Sequence, residues 1–239
     1  MLNIALSGAN GRMGKAIILA SKKDPSLNIK IKLISANNSL AINLLKLKTI
    51  DIFIDFSSPS GCEYYLKICQ KLKIPMVIGT TGLSKVQHQK IKRASKFIPI
   101  LYAPNMSISA NIGYYLLEIL TKLWTNNIDN HQLIEIIDIH HKHKKDMPSG
   151  TALKMGDIIK TCGSNNLKIN YISKRIGNVK GKHQIKFASL SEELIIKHNI
   201  KHRKSFAEGA LLAAKWLFNQ PKKLYNFSDL LKIGLKFTR

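Results

Sequence analysis

The sequence predicts an α/β fold: an N-terminal domain built on a parallel sheet, followed by an α+β half. Three observations carry this. Through the first hundred residues, apolar runs of strand length alternate with runs of helical period, which argues for parallel strands joined by right-handed crossovers. A glycine-rich turn separates the first strand from the first helix. Beyond Leu133 the apolar runs shorten and alternate in polarity, the pattern of strands with one face covered.

Asn3 to Ser7 reads as the first buried strand. Gly8-Ala9-Asn10-Gly11-Arg12-Met13-Gly14 follows, and Lys15 to Lys22 continue as a helix. Strand, glycine turn and helix form the setting of a Rossmann-type dinucleotide fingerprint. Glycine turns the chain with positive φ and lets backbone N–H groups approach a pyrophosphate, and the helix N-terminus adds partial positive charge. The spacing is Gly-x-x-Gly-x-x-Gly, with Asn10 where a middle glycine could stand. A tight turn without a ligand is the alternative. Arg12 either reaches a phosphate or is a solvated helix residue.

Asn28 to Ser35 reads as the second strand. A carboxylate near its end would hold the ribose hydroxyls of NAD, but the chain runs Ile34-Ser35-Ala36-Asn37-Asn38. NAD and NADP both stay open. Asp51 to Phe56 is a third strand, closed by Ser57-Ser58-Pro59-Ser60-Gly61, with a helix from Cys62 to Lys73. Met76 to Ile78 is a fourth, closed by Gly79-Thr80-Thr81-Gly82, with a helix from Ser84 to Lys96. Pro99 to Tyr102 leads into Ala103-Pro104-Asn105-Met106-Ser107. These small polar loops fall on one sheet edge, where open α/β folds hold nucleotides.

Ser109 to Trp124 is helical, with Ile112, Leu116, Leu117, Ile119, Leu120 and Leu123 on a broad apolar face. Leu133 to Ile139 is a strand, Thr151 to Lys160 a helix, and Gly163 to Asn170 a polar loop. His183 to Ala188 and Glu193 to His198 alternate as strands of an open, antiparallel-type sheet. Ser205 to Asn219 is a helix, and Phe227 to Leu231 a short helix or turn. The predicted division is 1–107, completed by 204–239, for the dinucleotide domain, and 108–203 for a second domain.

The formal net charge is +24 over 239 residues. The lysines are scattered over polar faces, as at Lys85, Lys90, Lys92 and Lys96, with no aromatic-interleaved basic stripe. Loose association with polyanions is expected, and no specific nucleic-acid partner. Cys62, Cys69 and Cys162 are odd in number and form no Cys-x-x-Cys, which disfavours disulfides and thiolate metal sites. No apolar run is long enough to span a bilayer, and Met1-Leu2-Asn3-Ile4 enters a strand directly. A cytoplasmic, membrane-free protein is expected.

The most reactive stretch is His140-His141-Lys142-His143-Lys144-Lys145-Asp146-Met147-Pro148-Ser149-Gly150-Thr151-Ala152. It joins a strand end to a helix start. Histidine exchanges a proton near neutral pH. Lys144 and Lys145 give fixed positive charge. Ser149 is a candidate N-cap, and the N–H groups of Gly150 and Thr151 would face an anion. A solvated basic loop with an ordinary cap is the bland alternative. Zinc on His140, His141 and His143 is disfavoured, since one short stretch rarely converges three imidazoles and the ammonium groups repel a cation. No metal is expected.

These motifs, with Asp55-Phe56-Ser57, Gly79 to Gly82 and Ala103 to Ser107, resemble the 4-hydroxy-tetrahydrodipicolinate reductase family over most of the chain. The resemblance implies a Rossmann domain, a substrate domain with an open mixed sheet that builds a homotetramer, and NADPH or NADH as cofactor. It implies a small dicarboxylate ring substrate on the diaminopimelate route to lysine. By matching motif, Gly8, Ala9, Asn10, Gly11, Arg12 and Met13 would hold the pyrophosphate. Gly79, Thr80, Thr81, Ala103, Pro104, Asn105 and Met106 would line the nicotinamide side. His140 would be the proton donor and acceptor, Lys144 a second donor or carboxylate partner, and His141, Gly150 and Thr151 substrate contacts. The chain departs from the family in lacking the acid after the second strand. It is also short over 37–48 and over 175–183, which bears on the tetramer interface. A cofactor-binding protein of this fold without turnover is the competing reading.

Overall fold

The computed structural model of the chain describes residues 1–33, 47–127, 133–163 and 167–231. The predicted strand end Ile34-Ser35, the acid-free stretch 34–38 and most of the short segment 37–48 lie outside them. The chain divides into two compact units, one of Met1–Ile108 with the residues from Arg203 onward, the other of Ser109–His202.

The first unit holds a six-stranded parallel sheet. Its strands are β1 (Leu2–Ser7), β2 (Leu27–Leu33), β3 (Ile52–Asp55), β4 (Met76–Ile78), β5 (Ile100–Tyr102) and β10 (Leu224–Tyr225). The order is β10-β5-β4-β3-β1-β2. β1 pairs with β2 on one side and β3 on the other, so the order reverses at β1. In open α/β sheets the space beyond the strand C-termini at such a switch point is the usual seat of a nucleotide. β3 and β4 are buried along their whole length, which explains their unbroken apolar reading.

Helices cover both faces: α1 (Arg12–Ser21), α2 (Pro59–Leu72), α3 (Lys85–Ala94), α6 (Lys204–Leu217) and α7 (Phe227–Leu230). α2 starts on Ser58, whose hydroxyl accepts from the Gly61 N–H, with proline in its first turn, and so begins three residues before the predicted Cys62. α3 carries a Ser84–Gln87 capping box. α6 buries an alanine stripe, Ala207, Ala210 and Ala214. A Cβ on its Gly209 would stand 1.8 Å from the Met106 carbonyl oxygen, so this helix lies hard against the loop after β5.

The second unit holds a four-stranded sheet of order β7-β6-β8-β9. The strands are β6 (Leu133–His140), β7 (Ile169–Arg175), β8 (Lys182–Ala188) and β9 (Glu193–Asn199). β6 runs parallel to β7 and antiparallel to β8, and β8 is antiparallel to β9. The sheet is therefore mixed. α4 (Ile108–Asn127) and α5 (Gly150–Cys162) share one core with it, including Leu117, Trp124, Ile134, Ile136, Met155, Ile159 and Phe187.

Two expectations change here. β7 takes in Ile169 and Asn170, assigned above to a loop. Asn170 and Lys174 are exposed and none of its residues is fully buried, and its apolar residues are only Ile169, Tyr171 and Ile172. On α4 the buried stripe is Ala110, Leu117, Thr121 and Trp124. Ile112, Leu116 and Leu123 are exposed in the single chain, so the broad apolar face contains a narrower core seam.

Candidate active site

The first unit presents its glycine turn at the end of β1. Gly8 has φ +71, and a Cβ there would lie 2.2 Å from the Phe56 carbonyl oxygen. A Cβ on Gly14 would lie 2.2 Å from the Gly8 oxygen, so turn and helix pack backbone to backbone. α1 has Gly11 as its N-cap, no side-chain cap bond and no acid in its first turn. Its leading N–H groups thus have no side-chain carboxylate or hydroxyl as cap partner. That arrangement fits a pyrophosphate. Asn10, Gly11 and Arg12 are exposed, Met13 is half-buried and Ala9 is buried.

Asp55 ties the neighbouring strand ends together. Its buried carboxylate accepts hydroxyl hydrogen bonds from Ser7, Ser57 and Thr80, the last at 2.6 Å. One carboxylate thereby fixes the loops after β1, β3 and β4. A Cβ on Gly79 would strike the Phe56 ring at 2.3 Å, so Gly79 lets the ring lie over the backbone. Of the other predicted residues, Thr80, Ala103 and Met106 are buried, Asn105 is half-buried, and Thr81 and Pro104 are exposed.

The second unit builds its site at the C-terminal end of β6. Period-two alternation places Ile134, Ile136, Asp138 and His140 on the buried face. The core side of the sheet therefore turns from apolar to ionisable over its last two positions. His140 is 6% exposed and Asp138 1%. Asp138 Oδ2 meets both His140 Nδ1 and the Arg175 guanidinium at 3.0 Å, and Ser173 donates to Oδ1. Burial works against the Asp138 charge, but Ser173, Arg175 and His140 outweigh it and hold the carboxyl below the usual range. Burial depresses His140, aided by Lys144 and Arg175 and partly offset by Asp138, so the ring is neutral near pH 7.

Arg175 also organises the loop. It donates to the carbonyl oxygens of Lys144 and Asp146. Beyond them Ser149 caps α5, its hydroxyl accepting from the Ala152 N–H at 3.2 Å. The same hydroxyl lies 3.3 Å from His183 Nε2. Burial first, then the nearby His140, His198 and Lys144, lower His183 to about 3. His183 also packs edge-on to His140, with ring centroids 5.1 Å apart.

Lys144 Nζ lies 2.8 Å from Asp146 Oδ1, and the Gly150 N–H points to Oδ2 at 3.3 Å. An ammonium group and a helix N-terminal amide thus converge on one carboxylate. His141 and Thr151 are half-buried beside them, and His143 and Lys145 are exposed. Among the described residues, no group of three or more His, Cys, Asp or Glu could hold a metal ion.

The comparisons fall on this same frame. The family models for dihydrodipicolinate reductase match at residues 2–106 for the N-terminus and 110–231 for the C-terminus. This chain belongs to the 4-hydroxy-tetrahydrodipicolinate reductase family. The reductase of that name from Pelagibacter ubique is 38% identical, covering 96% of this chain and 98% of its own. That from Rickettsia canadensis is 40% identical over 98% of this chain and all of its own. The structure of dipicolinate-bound dihydrodipicolinate reductase from Paenisporosarcina sp. TG-14 superposes with a TM-score of 0.77 at 21% identity, covering 95% of this chain and 97% of that one. At that identity the superposition speaks to the reductase fold.

Sequence reading missed Asp138, Arg175 and His183. A signal for Asp138 was present: it sits two residues before His140 on the apolar face of a strand, where a lone carboxylate needs a partner. Arg175 had none, because its strand went unread.

Proposed function

We propose that this chain reduces 4-hydroxy-tetrahydrodipicolinate to tetrahydrodipicolinate, within the diaminopimelate route to lysine, at the expense of a nicotinamide cofactor. Family membership carries the reaction. The convergence of Lys144 and the Gly150 N–H on one carboxylate supports the choice of a dicarboxylate substrate. Asp146 there stands in for a carboxylate of the substrate.

The first unit binds NADPH or NADH at the turn Gly8 to Met13, with Gly79 to Thr81 and Ala103 to Met106 lining the nicotinamide side. The cofactor supplies a hydride. In the second unit, Lys144 and the amides of Gly150 and Thr151 take carboxylate charge, and His141 adds a contact. His140 gives the ring its proton through Nε2. A bound dianion favours the charged imidazole, so a ring that is neutral in the free protein gains a proton as substrate arrives. Overall two hydrogens are added and the hydroxyl leaves as water.

The working form is a cytoplasmic homotetramer. This is argued from the family resemblance and from the apolar Ile112, Leu116 and Leu123 left exposed on α4. No described helix is long and apolar enough to cross a membrane.

The test is oxidation of NADPH and of NADH with freshly prepared substrate. Turnover is expected with at least one nucleotide, and the His140→Ala, Lys144→Ala double variant should lose on the order of 10²–10⁴-fold or more. Tight nucleotide binding with no turnover in the wild type would favour the non-catalytic reading.

A further inference from the structure

We infer that Asp138 is a positioning residue for proton transfer, fixing the His140 ring so that Nδ1 carries a permanent proton and Nε2 is the exchanging atom. This rests on the reading of His140 as the donor. The carboxylate only accepts, so the 3.0 Å contact makes Nδ1 the donor. Both carboxylate oxygens are anchored, Oδ2 also by Arg175 and Oδ1 by Ser173. Asp138 therefore stays put when the ring changes charge.

The other edge of the ring packs against backbone that carries no side chain. Gly181 faces Nε2, and a Cβ there would stand 3.2 Å from it. The groups facing His140 are Asp138 on its own strand, Arg175 on β7, His183 on β8 and Lys144 on the following loop. Asp138 is the one anion among them. It offsets the cations that would otherwise keep the ring from taking up a proton, as a buried carboxylate does for a catalytic imidazole in general. A hydrophobic residue would continue the apolar face of β6 more cheaply, since a buried charge pair gains little stability over well-packed apolar groups.

Two measurements on the whole chain test this. The first needs no substitution: ¹⁵N histidine spectra of the wild type, with His140 assigned by loss of its signals in His140→Asn. The Nδ1–H tautomer is expected, and an Nε2–H tautomer would overturn the inference. The second is a kinetic cycle of Asp138→Asn, His140→Asn and the double variant. Asp138→Asn should lower kcat roughly 10–10³-fold, leave KM for the nucleotide unchanged, and move the alkaline fall of the rate to lower pH. In the His140→Asn background it should cost no more than about threefold further, because there is no ring left to hold. Equal losses in both backgrounds, with the pH profile unmoved, would mean that Asp138 serves only to pair Arg175. A His140→Asn rate equal to wild type would instead sink the donor assignment itself.

Discussion

The proposed reaction assigns an anion to each of two helix N-termini, and the two are built by opposite means. At α1 the N-cap is Gly11, with no side-chain cap and no acid in the first turn. At α5 the cap is Ser149, backed by His183, and the Gly150 amide already points to Asp146. The first is a matter of backbone shape, secured by glycines that no side chain could replace. The second is a matter of ionisable side chains, secured by charge and protonation. One should fail when bulk is added and ignore pH. The other should tolerate bulk and respond to pH and charge.

The largest effect is expected from bulk at the first terminus. Gly8→Val places a branched side chain at φ +71 against the Phe56 carbonyl. Backbone strain of about 1–3 kcal/mol and the clash together should cut nucleotide affinity about 100-fold or more, or lower the urea midpoint. Fluorescence titration with NADPH and NADH checks it, and undiminished affinity would mean that the turn after β1 does not hold the nucleotide.

Next comes protonation at the second terminus. The folded value of His183 lies below its ordinary 6.5, at about 3. As pH falls, the unfolded chain takes up that proton first. The stability tied to a neutral His183 is thus complete above about pH 6.5 and is lost progressively as pH falls toward 3. His183→Gln keeps a hydrogen-bonding partner for Ser149 and removes the titration. Its urea-derived stability should fall less steeply between pH 6.5 and 4.5, by up to about 1.4 kcal/mol per pH unit. An unchanged slope would mean that His183 is not held neutral.

The smallest effect is expected at Asp146. Asp146 is more than half exposed, so its pair with Lys144 adds little. Asp146→Asn should free Lys144 and the Gly150 amide, and raise affinity for pyridine-2,6-dicarboxylate about two- to fivefold in calorimetry. Weaker binding would mean that Asp146 shapes the loop rather than filling a substrate position.

The same contrast governs what could be read from sequence. The shape-built half was legible, because strand, glycine turn and helix are contiguous: β4 fell on its predicted residues, and β1 and α1 began within a few residues of expectation. In the charge-built half the loop from His140 to Thr151 was legible for the same reason. Its supports were not. Ser173 and Arg175 arrive from β7 and His183 from β8 through pairing that only the fold creates. β7 escaped notice because its apolar residues are few, Ile169, Tyr171 and Ile172, and its second half is Ser173-Lys174-Arg175. The α4 seam was misjudged because period alone cannot separate a side that meets the sheet from one left exposed.

In the proposed reaction the loop after β6 grips a doubly negative ring. Calorimetric titration of pyridine-2,6-dicarboxylate into the wild type and Lys144→Ala, each also titrated with nucleotide, tests it most directly. Loss of one charged hydrogen-bonding group is worth about 1.5–3 kcal/mol. The variant should therefore bind the dicarboxylate roughly 10–100-fold more weakly while its nucleotide affinity stands unchanged. Equal dicarboxylate affinity in the two proteins would contradict the claim.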